Sequence, residues 1–232
     1  MEKVGIIITM HWSDKIRPKG KDYILNLIAT IEKYINFEYT IYVIDNESQY
    51  QIDFTNIKNL KYFRIENQSL KGLTGSWNRG LFEASKDNCK IMVVCNDDLE
   101  FNPSINTFVN YIDKDPDSER CVYGPLSDGV ANHQRSDKAM NGVFTINSFV
   151  DRYPLNGFMF GMTNSHYKTY KFSEDEYFNI NNKHNNGDGK WGGQEGQFIE
   201  NQTKGGIFKI LQFCWIKHFK ERAWKTARSL YK

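Results

Sequence analysis

The chain has 232 residues, 40% of them hydrophobic, enough for a real core but short for two domains, so one α/β-sized domain is expected. Its 16 Phe, 13 Tyr and 5 Trp exclude a disordered polymer, and 30 basic against 28 acidic side chains, a net charge of +2, offer no whole-protein field for nucleic acid. Four cysteines (Cys89, Cys95, Cys121 and Cys214) lack CxxC or metal-finger spacing and read as reduced, mostly buried thiols of a cytoplasmic protein.

VGIIITM (4–10) predicts a short buried strand, too short and too near the start for a signal peptide. YILNLIATIEKYI (23–35) carries apolar residues at helical spacing, and YTIYVID (39–45) and LKYFRI (60–65) predict two more strands. NQSLKGLTGSWNRGLFEAS follows, a glycine-containing loop running into a helix from about Ser76 to Lys86. The strand KIMVVCN (90–96) is apolar at its centre, which suits the middle of a sheet. Strand and helix alternate to this point, so a mostly parallel sheet with helices on both faces is expected.

Beyond it, NTFVNYIDKD (106–115) predicts a helix, and CVYGPL (121–126) and VFTINSF (143–149) predict strands around a polar loop. LNGFMFGM (155–162) is apolar with two glycines, suggesting a crowded backbone. EDEYFNINNKHNNGDGK (174–190), rich in Asn and Gly, reads as a mobile loop ahead of the helix start WGGQEGQF. The last stretch, from Lys204 on, carries eight Lys or Arg against Glu221 alone. Its interleaved aromatic residues fit either an anionic membrane surface or a helix packed on the domain. IFKILQFCWI inside it is broken by Lys209 and Gln212 and cannot span a bilayer.

In an open parallel sheet, ligands gather at the carboxyl edge of the strands. Thr9-Met10-His11, Asp45-Asn46, Glu66-Asn67 and Asn96-Asp97-Asp98 all fall there. Asp45 suits a base edge or a ribose hydroxyl, or else the cap of a turn. Gly72 and Gly75 let backbone approach a ligand or form a tight turn, and Asn78 can add amide hydrogen bonds. The loop is neither a P-loop nor a dinucleotide fingerprint, because it lacks GxxxxGK[ST] and does not follow the first strand. Hard divalent cations favour carboxylate oxygens and keep room for phosphate, so Asp97 and Asp98 suit a metal-diphosphate as well as a solvated turn. In WGGQE, Glu195 stands in a first helical turn, where a carboxylate stays ionised and can accept a proton. Trp191 can stack on a sugar ring or join the core.

VIDNES, GLTGSWNRGLFEAS and VVCNDDLEF, in that order, resemble the family 2 glycosyltransferases of the GT-A fold, especially their rhamnosyltransferase-like branch. The pattern is met by Asn67, Gly72, Gly75, Asn78 and Gly80, then Asn96 and Asp98. WGGQE is similar to the Trp-Gly-Gly-Glu-Asp signature of the beta-1,4-galactosyltransferases, with Glu195 at the position of the catalytic base and Gln194 replacing the preceding acid. The resemblance implies a single GT-A-like (Rossmann-like) α/β domain over 1–232. Its nucleotide-sugar-binding half would span about 1–102 and its acceptor-side half about 103–232.

The activity implied is an inverting, metal-dependent transfer of a sugar from a nucleotide-diphosphate donor to an acceptor hydroxyl of a glycan or lipid-linked molecule. Thr9, Asp45, Gly72, Asn78 and Asp97 would meet the nucleotide sugar, Trp191 and Gln194 the acceptor. Asp98 and His218 would hold Mn²⁺ or Mg²⁺, and Glu195 would take the acceptor's proton. Asn96 departs from the pattern by placing an amide where a first metal-binding acid is usual. Two rival readings are a sugar nucleotidyltransferase, although TMHWSDK lacks its opening glycines, and a non-catalytic nucleotide-sugar or carbohydrate-binding module.

Overall fold

A computed structural model describes residues 2–66, 68–128, 134, 135, 137, 141–146, 155–181 and 204–219. The N-terminal half runs β1 (Val4–Met10), α1 (Gly20–Tyr34), β2 (Tyr39–Asn46), β3 (Leu60–Ile65), α2 (Gln68–Lys86) and β4 (Ile91–Asn96). The rest comprises β5 (Leu99–Glu100), α3 (Ser104–Lys114), β6 (Cys121–Ser127), β7 (Val143–Ile146), β8 (Met159–Thr163), α4 (Asn164–Tyr170) and β9 (Ile207–His218). The strands of the described residues join one sheet in the order β3-β2-β1-β4-β8-β6-β9-β5, with β7 on β9. The first four run parallel, whereas β8 lies antiparallel to β4 and to β6, and β9 returns parallel to β6. This is the mixed, mostly parallel sheet flanked by helices that the alternating elements predict.

Strand alternation divides the core in two. Ile6, Ile8, Val93 and Cys95 face α1 and α3, meeting Ile24, Leu27, Ile28, Phe108 and Ile112. Ile7, Tyr42, Ile44, Met92 and Val94 face the other way, toward Trp77, Leu81 and Ala84 of α2 and Tyr167 and Tyr170 of α4. With both faces covered, the central strands should be apolar almost throughout, and VGIIITM and IMVVC are, apart from Thr9 near the carboxyl end of β1. α2 lies especially close to the sheet: a Cβ on Gly80 would come within 2.2 Å of Ile7 Cγ2. The four cysteines are free and buried.

Four expectations change. The helix predicted from about Ser76 begins at Gln68 instead, with a break at Gly72. There φ is 56° and ψ −157°, a conformation open to little besides glycine, so Gly72 kinks a helix rather than closing a loop. Tyr177 and Phe178, placed by sequence in a mobile loop, are fully buried. The loop's composition hid two aromatic anchors, which pack among Trp77, Phe160 and Tyr167.

The stretch Ile207–His218, expected on a membrane surface or in a helix, is a strand inside the sheet with Phe208, Ile210, Leu211, Cys214 and Ile216 buried. Lys209 can go inside because its ammonium reaches Asp115 at 2.6 Å, the pairing a buried charge requires. Finally, the short α4 goes beyond the predicted elements. No described helix is long and apolar enough to cross a membrane.

Candidate functional site

The strand order makes a switch point. From β1 the chain winds outward through β2 and β3, then returns to place β4 on the other side of β1. Connections therefore diverge at the carboxyl ends of β1 and β4, leaving a crevice where ligands of such sheets bind. Register brings Thr9 beside Asn96 and Met10 beside Asp45. Thr9, Asp45, Asp97 and Asp98, the edge residues singled out from sequence, thus lie along one rim.

Asp97 and Asp98 follow the carboxyl end of β4 and are 3% and 1% exposed. Two adjacent carboxylates at such burial need counter-charge. It comes from Arg17, in the connection after β1, whose side chain is itself only 9% exposed. Arg17 Nη2 donates to Asp97 Oδ1, and Nη1 stands 3.6 Å from Asp98 Oδ2. From the opposite side, β9 pairs Leu99 with His218, setting His218 Nε2 3.4 Å from Asp98 Oδ1. The His218 ring stacks on Phe158 with centroids 5.4 Å apart. Burial lifts Asp97 to about 7, against the pull of Arg17 and with the charge of Asp98 adding to the rise. Burial also acts upward on Asp98, but the His218 donor and the Arg17 charge outweigh it and hold that carboxyl below its ordinary range. One acid of the pair is thus kept firmly ionised and the other is easily neutralised.

This arrangement fits a hard divalent cation in part. Asp98 and His218 are brought together, as the sequence predicts. Asp97 Oδ2, Asn96 Oδ1 and His218 Nδ1 are buried without a hydrogen-bond partner, and the two oxygens belong to the same strand end. Among the described residues no three His, Cys, Asp or Glu side chains form a metal cluster. Two protein ligands with the remaining positions left to phosphate and water is the usual economy of Mg²⁺-type sites at phosphates.

The loop carrying Arg17 is tightly built. His11 Nδ1 donates to the Asn46 carbonyl at 2.9 Å, leaving Nε2 to accept from the Ser13 hydroxyl at 2.9 Å. Burial depresses the His11 pKa, opposed by that carbonyl bond, which agrees with a neutral ring. Ser13 Oγ also accepts from Ile16 N–H, and the Ser13 carbonyl accepts from Arg17 N–H. Trp12 N–H donates to Ser48 Oγ, tying this loop to the end of β2.

The other predicted contacts already have protein partners. Asp45 is fully buried: Oδ1 accepts from Ser48 N–H at 2.8 Å, and Oδ2 from the Tyr62 hydroxyl at 2.5 Å and Arg64 Nη1 at 3.1 Å. Three donors on a carboxylate's four or so acceptor sites leave room for one more, so the turn-capping role coexists with at most one ligand contact. Asn78 was expected to offer its amide to a ligand. Its Oδ1 instead accepts from Tyr177 and Phe178 N–H, at 3.1 and 2.9 Å, and its Nδ2 donates to Phe178 O at 2.8 Å. It clamps the buried aromatic pair to α2. Gly72 lies at the kink. Glu195, Trp191 and Gln194 fall outside the described residues.

Arg17 is the functional residue that sequence reasoning missed. It forms no motif, and its partners are 80 positions away. The signal to look for was arithmetic: two buried acids at a strand end demand a cation, and the polar connection HWSDKIRPKGK after the neighbouring strand is where it can come from.

Comparisons with known proteins agree with this fold. The model of glycosyl transferase family 2 matches residues 6–186. Among solved structures, S. aureus TarS residues 1–349 superposes with a TM-score of 0.64 at 15% identity, covering 100% of this chain and 64% of TarS 1–349. The same protein has been solved with UDP-GlcNAc, where the TM-score is 0.61 at 14% identity, covering 97% of this chain and 61% of the other. GalNAc-T7 with UDP, GalNAc and Mn²⁺ gives 0.64 at 13% identity, covering 97% of this chain and 45% of that one. The chain thus spans between 45% and 64% of these neighbours' length, and identities of this size speak to the fold. Among curated proteins none matches.

Proposed function

The chain belongs to glycosyl transferase family 2, and from that premise we propose that it moves a sugar, with inversion, from a uridine-diphosphate donor to an acceptor hydroxyl in glycan synthesis, with a divalent cation bound at Asp98 and His218. The observation that carries this is the acid pair at the switch point, with His218 against Asp98 and partnerless oxygens on Asp97 and Asn96. The choice of uridine rests on the UDP complexes of TarS and GalNAc-T7. Mn²⁺, present with GalNAc-T7, or Mg²⁺ suits the ligand set.

In this reading Thr9, and Asp45 through its remaining acceptor site, meet the nucleoside, while Gly72 shapes the approach to the donor. Asp97 faces the ribose or its phosphate side. A bound cation would supply Lewis-acid stabilisation of the charge developing on the leaving diphosphate. Asp98, beside the Arg17 charge, and His218 keep ligand atoms available for it. Glu195 accepts the acceptor's proton as the hydroxyl attacks the anomeric carbon from the face opposite the leaving group, which is what inverts configuration. Trp191 and Gln194 receive the acceptor, a glycan or a lipid-linked molecule.

The test is release of nucleoside diphosphate from a panel of nucleotide sugars with Mn²⁺ present. Asp98→Ala and Glu195→Ala should each lower turnover by at least about a hundredfold, the scale of lost general acid-base or electrostatic stabilisation, with the far-UV circular dichroism unchanged. Turnover that survives Glu195→Ala refutes the base assignment; turnover that survives Asp98→Ala refutes the metal site.

A further inference from the structure

The divalent cation and Arg17 claim the same pair of carboxylates. Arg17 bridges Asp97 and Asp98 with both terminal nitrogens. Its guanidinium also lies over the Tyr23 ring, 5.5 Å from the centroid. Tyr23 in turn stacks on Phe219 at 5.4 Å, and Phe219 N–H donates to the Asp98 carbonyl at 2.9 Å. A folded connection, two carboxylates and an aromatic shelf therefore converge on one cationic head. That is a built seat for a guanidinium.

A cation bound to Asp98 would stand against this positive group in a poorly hydrated place, where like charges repel strongly. Arginine has an alternative partner once the donor arrives, because its planar fork matches phosphate as well as carboxylate. We propose that Arg17 is an internal counter-cation that holds the acid pair closed in the donor-free enzyme, competes with the divalent cation, and transfers to the diphosphate of the incoming nucleotide. The proposal rests on the metal reading of Asp98 and His218. Its consequence is coupling: the nucleoside diphosphate draws Arg17 away and frees the carboxylates, so nucleotide and metal bind each other's enzyme complex better than they bind the free enzyme. Such coupling is reciprocal by linkage. Arg17 is a positioning residue in this account, acting through the occupancy of the acids.

Mn²⁺ binding followed by electron paramagnetic resonance, with and without UDP, separates the possibilities. The wild-type protein should bind Mn²⁺ weakly alone and at least about tenfold more tightly with UDP, within the usual range of coupling. Arg17→Met should tighten Mn²⁺ binding without UDP by about tenfold and reduce the UDP effect to about threefold or less. Arg17→Lys, which keeps the charge but loses the fork, should fold even if Arg17→Met leaves the acids too poorly neutralised to do so, and should retain weak Mn²⁺ binding with a diminished UDP effect. Equal Mn²⁺ affinity in wild type and Arg17→Met, an undiminished UDP effect in Arg17→Lys, or no UDP effect in the wild type would each overturn the proposal. Asp98→Asn in the presence of UDP tests the underlying site separately. If it weakens Mn²⁺ binding while the Arg17 variants change nothing, the metal site stands and only the counter-cation role falls.

Discussion

At the residue scale, burial decides which ionisable groups serve and which are liabilities. His166 is 1% exposed, its Nε2 bonded to the Tyr177 hydroxyl at 2.9 Å and its ring stacked on Tyr170. Burial lowers its pKa from 6.5 to about 3. The folded protein thus keeps His166 neutral where the unfolded chain takes up a proton, so this group costs stability as pH falls below 6.5, levelling off near 3. Its cost should grow by about 1.4 kcal/mol per pH unit inside that window. Asp97, raised by burial, works the other way and favours the fold as it protonates, so the total curve mixes the two. The difference in unfolding free energy between wild type and His166→Gln, measured by urea titration from pH 7 to pH 4, isolates the histidine. That difference should shift steadily toward the variant as pH falls; parallel curves would contradict the assignment. Asp97 and Asp98 were marked in the sequence by their place at the end of an apolar strand, where a turn was an equal reading, and His218 by the family resemblance alone. Arg17, and the protein partners of Asp45 and Asn78, were not, since those contacts join residues far apart in the chain.

At the scale of elements, close approach of α2 to the sheet sets the geometry of the rim. Gly80 leaves no room for a side chain above Ile7 and little above Ile44, and Gly5 on β1 similarly meets Ala84. Gly80→Ala therefore overpacks a site that cannot yield without lifting the helix, and should destabilise the protein by about 1–3 kcal/mol, read as a lower urea midpoint with an unchanged slope. An unaltered midpoint would mean that α2 rests less tightly than described. The parallel half of the fold was plain in the sequence because strands alternate with a helical pattern and its central strands, β1 and β4, are almost continuously apolar. β9 was obscured by Lys209 and Gln212, which interrupt an apolar run that the Asp115 ion pair makes tolerable inside. α4 has only seven residues, too few for periodicity to speak. Its one signal is Thr163, whose hydroxyl caps the helix by accepting from His166 N–H. The Gly72 break shows the reverse case, in which glycine suggested a loop and tertiary structure kept helix on both sides.

At the scale of the whole molecule, strand order turns scattered residues into a site. The return from β3 to β4 across β1 gathers Arg17, Asp97 and Asp98, and the long strand β9 carries His218 back from more than a hundred residues away to meet them. Family membership and the neighbours' fold agree with that layout, and the metal at Asp98 and His218 is its central claim. Anomalous diffraction at the manganese edge, from a crystal soaked with Mn²⁺ and UDP, tests it most directly. The account predicts a single strong peak in coordination contact with Asp98 and His218, with the diphosphate oxygens completing the shell and the Arg17 guanidinium moved from the carboxylates to the phosphates. A manganese peak away from Asp98, or a UDP diphosphate bound elsewhere than the carboxyl ends of β1 and β4, would contradict it.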